Sequence, residues 1–294
     1  MPELPDVTVY CERLVAITGG EPLVQVTMHS PFVLRTVDPP LAALVGLRVA
    51  GCERLGKRLV VRFGEDLFLV IHLMIAGRLR WRPLAKPLKG KLVLATLEFP
   101  HGRLHLTEAG STRRASVHLV RGRAALADFD RGGLEPLEAT RDAFAARLRA
   151  ENHTLKRALT DPRLFSGIGN AYSDEILHRA RLGPLVLSSR LTEDEVTNLF
   201  TATQAVLREF TARIRAEVGA GFPETVTAFR PDFAVHGRFG LPCPACGVPV
   251  QRIRYASNET NYCARCQTGG RLLADRAMSR LLKQDWPRSL DEVE

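Results

Sequence analysis

Cys243-Pro244-Ala245-Cys246 and, further along, Cys263-Ala264-Arg265-Cys266 form two closely spaced cysteine pairs near the end of the chain. Two such pairs with a short connecting segment have the spacing of a tetrahedral four-thiolate zinc site. Four thiolates leave no open coordination position, so this pattern predicts one structural Zn2+ held by Cys243, Cys246, Cys263 and Cys266, and disfavours a catalytic metal. Seven arginines lie between Arg238 and Arg280 against the two acids Glu259 and Asp275, which makes the predicted finger cationic. A charge excess of this kind is often a solvated face; on a basic protein it also suits a polyanion.

Upstream of the finger the sequence is helical in period. Phe144, Leu148, Leu155 and Leu159 give an apolar stripe over 141–159, and Val196, Leu199, Phe200, Val206, Leu207, Phe210 and Ile214 give another after Thr192. Thr192 with Glu195 three residues on predicts a capping box. Between these segments Phe165-Ser166-Gly167-Ile168-Gly169-Asn170 reads as a glycine turn entering a short helix that Gly183-Pro184 ends. Backbone N–H groups exposed at such a turn suit a phosphate, and a plain helix-turn-helix corner is the alternative.

From about Leu23 to Phe129 the pattern changes to short β-type runs, among them Leu59 to Phe63, Leu67 to Leu73 and Leu92 to Phe99, separated by glycine and proline turns. This predicts a β-sandwich or flattened barrel. Ahead of it, Val7, Tyr10, Cys11, Leu14 and Ile17 share one helix face, with Asp6 placed as N-cap. Cys11 and Cys52 read as small buried apolar residues. The expected architecture is α+β and multidomain: a β-sandwich with a leading helix over 1–131, a helical domain over 132–237, a zinc finger over 238–286 and a tail over 287–294.

The 294 residues carry a net charge of +9 and are 45% apolar, which points to nucleic acid as partner and allows a sizeable core. No apolar run approaches the roughly 18 residues of a spanning helix, and Glu3, Asp6, Glu12 and Arg13 interrupt any signal-peptide pattern. The expectation is a non-membrane protein of the cytoplasm or nucleoid. The start Met1-Pro2-Glu3-Leu4-Pro5-Asp6 adds a chemical possibility. Removal of Met1 leaves a secondary amine beside a carboxylate, and an α-amino group titrating near pH 8 is partly neutral at physiological pH. Such an amine can form an iminium with a sugar C1′; an ordinary start that contains proline is the alternative.

Taken in order, Pro2-Glu3-Leu4-Pro5, Gly56-Lys57-Arg58, His72-Leu73, Leu155-Lys156, Gly167-Ile168-Gly169-Asn170-Ala171-Tyr172-Ser173-Asp174-Glu175, Val235-His236-Gly237-Arg238 and the four cysteines resemble the Fpg/Nei DNA glycosylases, and within them the formamidopyrimidine-DNA glycosylase branch. The resemblance covers nearly the whole chain. It implies a helix-two-turn-helix domain and zinc finger facing a β-sandwich across a single DNA cleft, hence a monomer, and a bifunctional glycosylase and abasic-site lyase acting on duplex DNA that carries a damaged base or an abasic site. Carried over by position, Pro2 is the nucleophile, Glu3 the acid/base, and Lys57 joins them at the catalytic centre. Lys57, His72 and Asn170 match positions that hold phosphates around a flipped nucleotide, whose extrusion costs a few kcal/mol. Outside that frame Lys57 reads as a solvated turn lysine, His72 as a core histidine, and Lys156 and Glu175 as helix-surface charges.

The chain also departs from the family pattern. Met74-Ile75 follow His72-Leu73 where the family has glycine and a methionine wedge, so Ile75 takes the wedge position. The loop Thr107-Glu108-Ala109-Gly110-Ser111-Thr112-Arg113-Arg114-Ala115 offers Arg113 and Arg114 to the opposite strand but no aromatic plug. Asn258 stands where the family has a finger arginine, with Glu259 beside it and Arg254 or Arg265 as substitutes. Asp6 replaces the usual glutamate, and 222–233 is short for a lesion-covering loop. Oxidised purines are the expected lesions, with oxidised pyrimidines or bulky adducts second. The competing classes are a non-catalytic protein that binds damaged or branched DNA, and an RNA-binding protein.

Overall fold

The structure, a computed structural model, describes residues 1–86, 88, 90–109, 112–224, 226, 230–255, 258–274, 281 and 289–292. Gly110 and Ser111 of the arginine loop, part of 222–233, Ala256 and Ser257, the finger residues Asp275, Arg276 and Arg280, and half of the 287–294 tail lie outside these. The chain divides into two compact units, Met1–Arg131 with Phe210–Thr227, and Gly132–Glu209 with Ala228–Glu294.

The first unit opens with helix α1, Leu4–Thr18. Its N-cap is Glu3, one turn before the Asp6 predicted from the sequence. Glu3 and Asp6 instead form a reciprocal capping box, with Asp6 at N3 and Pro5 in the first turn, where its missing N–H costs nothing. Gly19, at φ 58°, closes the helix in the left-handed conformation. Val7, Tyr10, Cys11 and Leu14 are buried at helical spacing.

Eight strands follow: β1 (Gln25–Met28), β2 (Val49–Leu55), β3 (Arg58–Phe63), β4 (Leu67–His72), β5 (Gly77–Arg82), β6 (Val93–Phe99), β7 (Gly102–Glu108) and β8 (Ser116–Arg121). They make two antiparallel four-stranded sheets, ordered β1-β6-β7-β5 and β2-β3-β4-β8. The expected sandwich is therefore present. Alternation explains the packing of β4: Leu67, Leu69 and Ile71 enter the main core, while Phe68 and Val70 join Val60 and Leu126 on the opposite face. α1 packs on β2 and β3.

The second unit holds α2 (Arg141–Arg149), α3 (Leu155–Thr160), α4 (Asn170–Ala180), the hairpin β9 (Gln251–Tyr255) with β10 (Asn258–Tyr262), and α6 (Ala264–Thr268). The helix α5, Glu193–Val218, belongs to the second unit up to Glu209 and to the first from Phe210. Its predicted capping box is present, with Thr192 N donating to Glu195 Oε2 at 2.9 Å and Glu195 N to Thr192 Oγ1 at 3.2 Å. The stripe expected to run through 141–159 is broken between α2 and α3. Leu155 N and Lys156 N donate to the carbonyls of Val186 and Pro184, at 2.8 and 3.1 Å, so the start of α3 is tied to a distant segment rather than to α2. α4 ends earlier than Gly183-Pro184, at Arg181 with φ 55°.

Candidate functional site

One end of the sheet β2-β3-β4-β8 collects most of the residues singled out in the first unit. Gly56, at φ 61°, and Lys57 form the tight β2-β3 turn. His72 closes β4 opposite Arg58 of β3 and Ser116 of β8. The β4-β5 turn bearing Ile75 follows, and Arg113 and Arg114 lead into β8. The antiparallel register alone therefore brings Lys57, His72, Ile75 and the arginine loop to a common edge.

Pro2 and Glu3 are buried, Glu3 to 3% exposure and Asp6 to 5%. Glu3 N donates to Asp6 Oδ2 at 2.8 Å, and the Glu3 carboxylate accepts from Asp6 N. Burial holds the Met1 amine below its ordinary value. The charges of Arg78 and Lys57 push the same way, and those of Glu3 and Asp6 oppose them. Desolvation, rather than the neighbouring carboxylate, decides the direction. The imidazole of His72 is depressed to about 4, chiefly by burial and then by Arg58, Lys57 and His118, so it is neutral at physiological pH.

Ile75 is 64% exposed at the tip of a turn closed by Gly77 N donating to Leu73 O at 2.9 Å. Met74 occupies the left-handed region at φ 53°, a conformation that a side chain makes costly by about 1–2 kcal/mol. A Cβ on Gly77 would lie 2.1 Å from Leu73 O. Arg78 holds the turn from behind, donating to Ile75 O at 3.0 Å, Gly77 O at 2.7 Å and Val226 O at 2.6 Å. Arg113 and Arg114 are exposed. Their loop is anchored by buried Glu108, whose carboxylate accepts from Arg114 N at 3.0 Å and Ala115 N at 3.1 Å.

In the second unit Asn170, the first residue of α4, donates to Glu259 O at 2.8 Å and so lies against the β9-β10 hairpin. Asn258 is exposed at the start of β10. Arg252 and Arg254 approach Glu259 at 3.5 and 3.4 Å, so Glu259 faces arginines on the neighbouring strand. The structure thus groups Asn170 with the hairpin.

Asp174 and Glu175 are not surface charges. Asp174 is 1% exposed and accepts from Lys156 Nζ at 2.5 Å, His236 Nδ1 at 2.7 Å and Asn261 N at 3.1 Å. Burial pushes the Glu175 carboxyl up, against the N–H groups of Ala234, Val235 and His236, each within 2.9 Å. Lys156 Nζ also donates to Asn170 O at 2.7 Å. Sequence reasoning missed this hub, along with Arg78 and Glu108. The one available signal was an acid pair within a helix flanked on both sides by apolar residues, Ala171-Tyr172 and Ile176-Leu177.

The four cysteines converge, their Sγ atoms all within 4.8 Å of one another. Cys243 and Cys266 are 4.0 Å apart, Cys246 and Cys263 3.4 Å. Zn–S bonds near 2.3 Å at tetrahedral angles imply S···S separations of about 3.8 Å, so this donor set fits zinc. No helix among the described residues is long and apolar enough to cross a membrane.

Three comparisons bear on this arrangement. The chain matches the family description "Formamidopyrimidine-DNA glycosylase N-terminal domain" over residues 1–168, its "H2TH domain" over 133–217, and "Zinc finger found in FPG and IleRS" over 240–269. It is 34% identical over 289 residues to a formamidopyrimidine-DNA glycosylase of Thermus thermophilus, covering 92% of this chain and 100% of that one. Among solved structures it resembles wild-type Lactococcus lactis Fpg in complex with oxidised-pyrimidine DNA, at 25% identity and a TM-score of 0.79, and with N7-benzyl-Fapy-dG DNA, at 25% and 0.78. In both cases 91% of this chain and 100% of the other are covered.

Proposed function

The chain belongs to the formamidopyrimidine-DNA glycosylase family, and from that premise we propose that it excises oxidised bases and cleaves the abasic site left behind, with the Pro2 amine as nucleophile once Met1 is removed. It is a DNA-repair enzyme of the glycosylase class. The observation that carries the mechanism is the buried chain start: Pro2 and Glu3 are enclosed, and burial, with the charges of Arg78 and Lys57, holds the Met1 amine there below its usual value, the surroundings that the Pro2 amine takes over once Met1 is removed. A neutral secondary amine attacks C1′. The base departs, Glu3 shuttles the proton that opens the sugar ring, and an iminium results. That iminium acidifies the C2′ hydrogen, whose loss expels the 3′ phosphate.

Lys57 and neutral His72 face phosphates at the sheet edge, His72 as an uncharged N–H donor. Ile75 fills the space of the extruded base, and Arg113 and Arg114 contact the opposite strand. Asn170 and Asn258 hold phosphate by hydrogen bonding without neutralising it. One structural Zn2+ on Cys243, Cys246, Cys263 and Cys266 supports the finger. On this reading 1–131 is the catalytic domain, 132–237 the helix-two-turn-helix domain and 238–286 the finger, and a monomer repairs DNA in the bacterial cytoplasm or nucleoid. Oxidised purines are the favoured lesions. The Lactococcus complexes carry one purine-derived and one pyrimidine lesion, which supports oxidised pyrimidines and bulky adducts as second substrates.

Borohydride trapping tests the reading. Met1-processed protein, with Pro2→Gly beside it, is offered duplexes bearing 8-oxoguanine, an oxidised pyrimidine or an abasic site. A covalent band that requires Pro2 is the expected result. Equal loss of DNA binding and trapping in Pro2→Gly would contradict the nucleophile assignment.

A further inference from the structure

Asn170, Asp174 and His178 stand at i, i+4 and i+8 on α4, a single helix face. Each bonds to the finger. Asn170 Nδ2 donates to Glu259 O at 2.8 Å, Asp174 Oδ2 accepts from Asn261 N at 3.1 Å, and His178 Nε2 lies 3.3 Å from Cys243 Sγ. The first two contacts dock the helix on the hairpin. The third reaches a metal ligand.

Cys243 is 2% exposed. Four thiolates around Zn2+ carry a net charge of −2, and burying that charge is costly unless N–H donors replace water at the sulfurs. A zinc-bound thiolate has no proton and can only accept. The contact therefore requires the proton of the imidazole on Nε2, and it runs from the last turn of α4 to Cys243. Cys266 N provides a second, longer donor, 3.5 Å from Cys263 Sγ.

We infer that His178 is a positioning residue for the metal centre, donating from Nε2 to the zinc-bound Cys243 thiolate, so that metal retention and docking of α4 on the finger are one cooperative event. Helix α4 begins at Asn170, so the same rigid element links the metal to the phosphate-facing amide. This assignment rests on the zinc reading of the four cysteines, and its test keeps the two separable.

Zinc content of the parent chain is measured first, then zinc affinity by competition with a colorimetric chelator for parent, His178→Phe and His178→Gln. Phe keeps the bulk and removes the donor; Gln restores an N–H at similar reach. The expected result is affinity weakened about 10–100-fold in His178→Phe, with His178→Gln close to the parent. In the Co2+-substituted protein the sulfur-to-metal charge-transfer band should move to longer wavelength in His178→Phe, because loss of the N–H raises the energy of the thiolate electrons. Parent-like affinity and spectrum in His178→Phe would overturn the assignment, as would a His178→Gln as weak as His178→Phe, which would mark a packing effect. A parent that holds no zinc would overturn the zinc reading as well.

Discussion

Replacing Asp174 by asparagine should disable the second unit while leaving the β-sandwich intact. Asp174 receives three donors: the Lys156 ammonium on Oδ1, and His236 Nδ1 and Asn261 N on Oδ2. The side chains of Asp174 and Lys156 are 0% and 13% exposed, so water cannot take over either role. An asparagine offers one carbonyl oxygen. If it faces His236 and Asn261, its NH2 group meets the ammonium; if it faces Lys156, the NH2 group meets two other donors. Either way a donor opposes a donor and a nearly buried cation loses its counter-charge, which costs about 3–5 kcal/mol. Each 1.4 kcal/mol is a factor of ten, so amide-exchange protection should fall by about two to three and a half decades where exchange occurs by opening of this unit. Hydrogen-exchange mass spectrometry on peptides covering 155–180 and 251–263 reads this, with β3 and β4 peptides as internal control. A loss below about 1 kcal/mol, or an equal loss in the β-sandwich peptides, would refute the reasoning.

Met74→Gly should stabilise the protein by about 0.5–1 kcal/mol, because relief at φ 53° exceeds the unfolded-state entropy that glycine adds; a fall in Tm contradicts this. Gly77→Ala should destabilise by more than about 2 kcal/mol, since its Cβ meets the backbone oxygen of Leu73, and an unchanged Tm would show that the turn opens freely. His72, depressed to about 4, should show no NMR titration between pH 5 and 8. The unfolded chain takes up this proton near pH 6.5 and the folded chain only near 4. The stability His72 contributes is therefore full above pH 6.5 and is lost as pH falls toward 4; a chemical-shift midpoint near 6.5 would contradict it.

Much of the architecture was legible because it rests on local chemistry. The cysteine spacing, the Thr192–Glu195 cap and the β-runs at 59–63, 67–73 and 92–99 each specify structure within a few residues. The start of α1 differs from the sequence reading because Glu3, rarely a cap, acts as one through the reciprocal bond with Asp6. The break before Leu155 was hidden because its partners, Pro184 and Val186, are about thirty residues away. Lys156 and Glu175 read as helix-surface charges for the same reason: Lys156 pairs with Asp174, eighteen residues on, and Glu175 accepts from the main chain of Ala234, Val235 and His236, segments that local periodicity cannot place. His178 carried no motif at all, and only the folded chain sets it beside Cys243.

Glu108 grips its loop through the main-chain N–H groups of Arg114 and Ala115, not through their side chains. The path of the chain at 114–115 is thus held without the side chain of Arg114, whereas the Arg113 guanidinium makes a tie of its own, Nη2 donating to Lys91 O at 2.5 Å. An aromatic ring, an amide or a cation can be exchanged at 114 on an unchanged mount, provided the acid at 108 stays. On the proposed reading of this loop as the opposite-strand contact, that preference can then drift in a lineage, or be rewritten at the bench, one codon at a time and without a compensating change in the sandwich beneath.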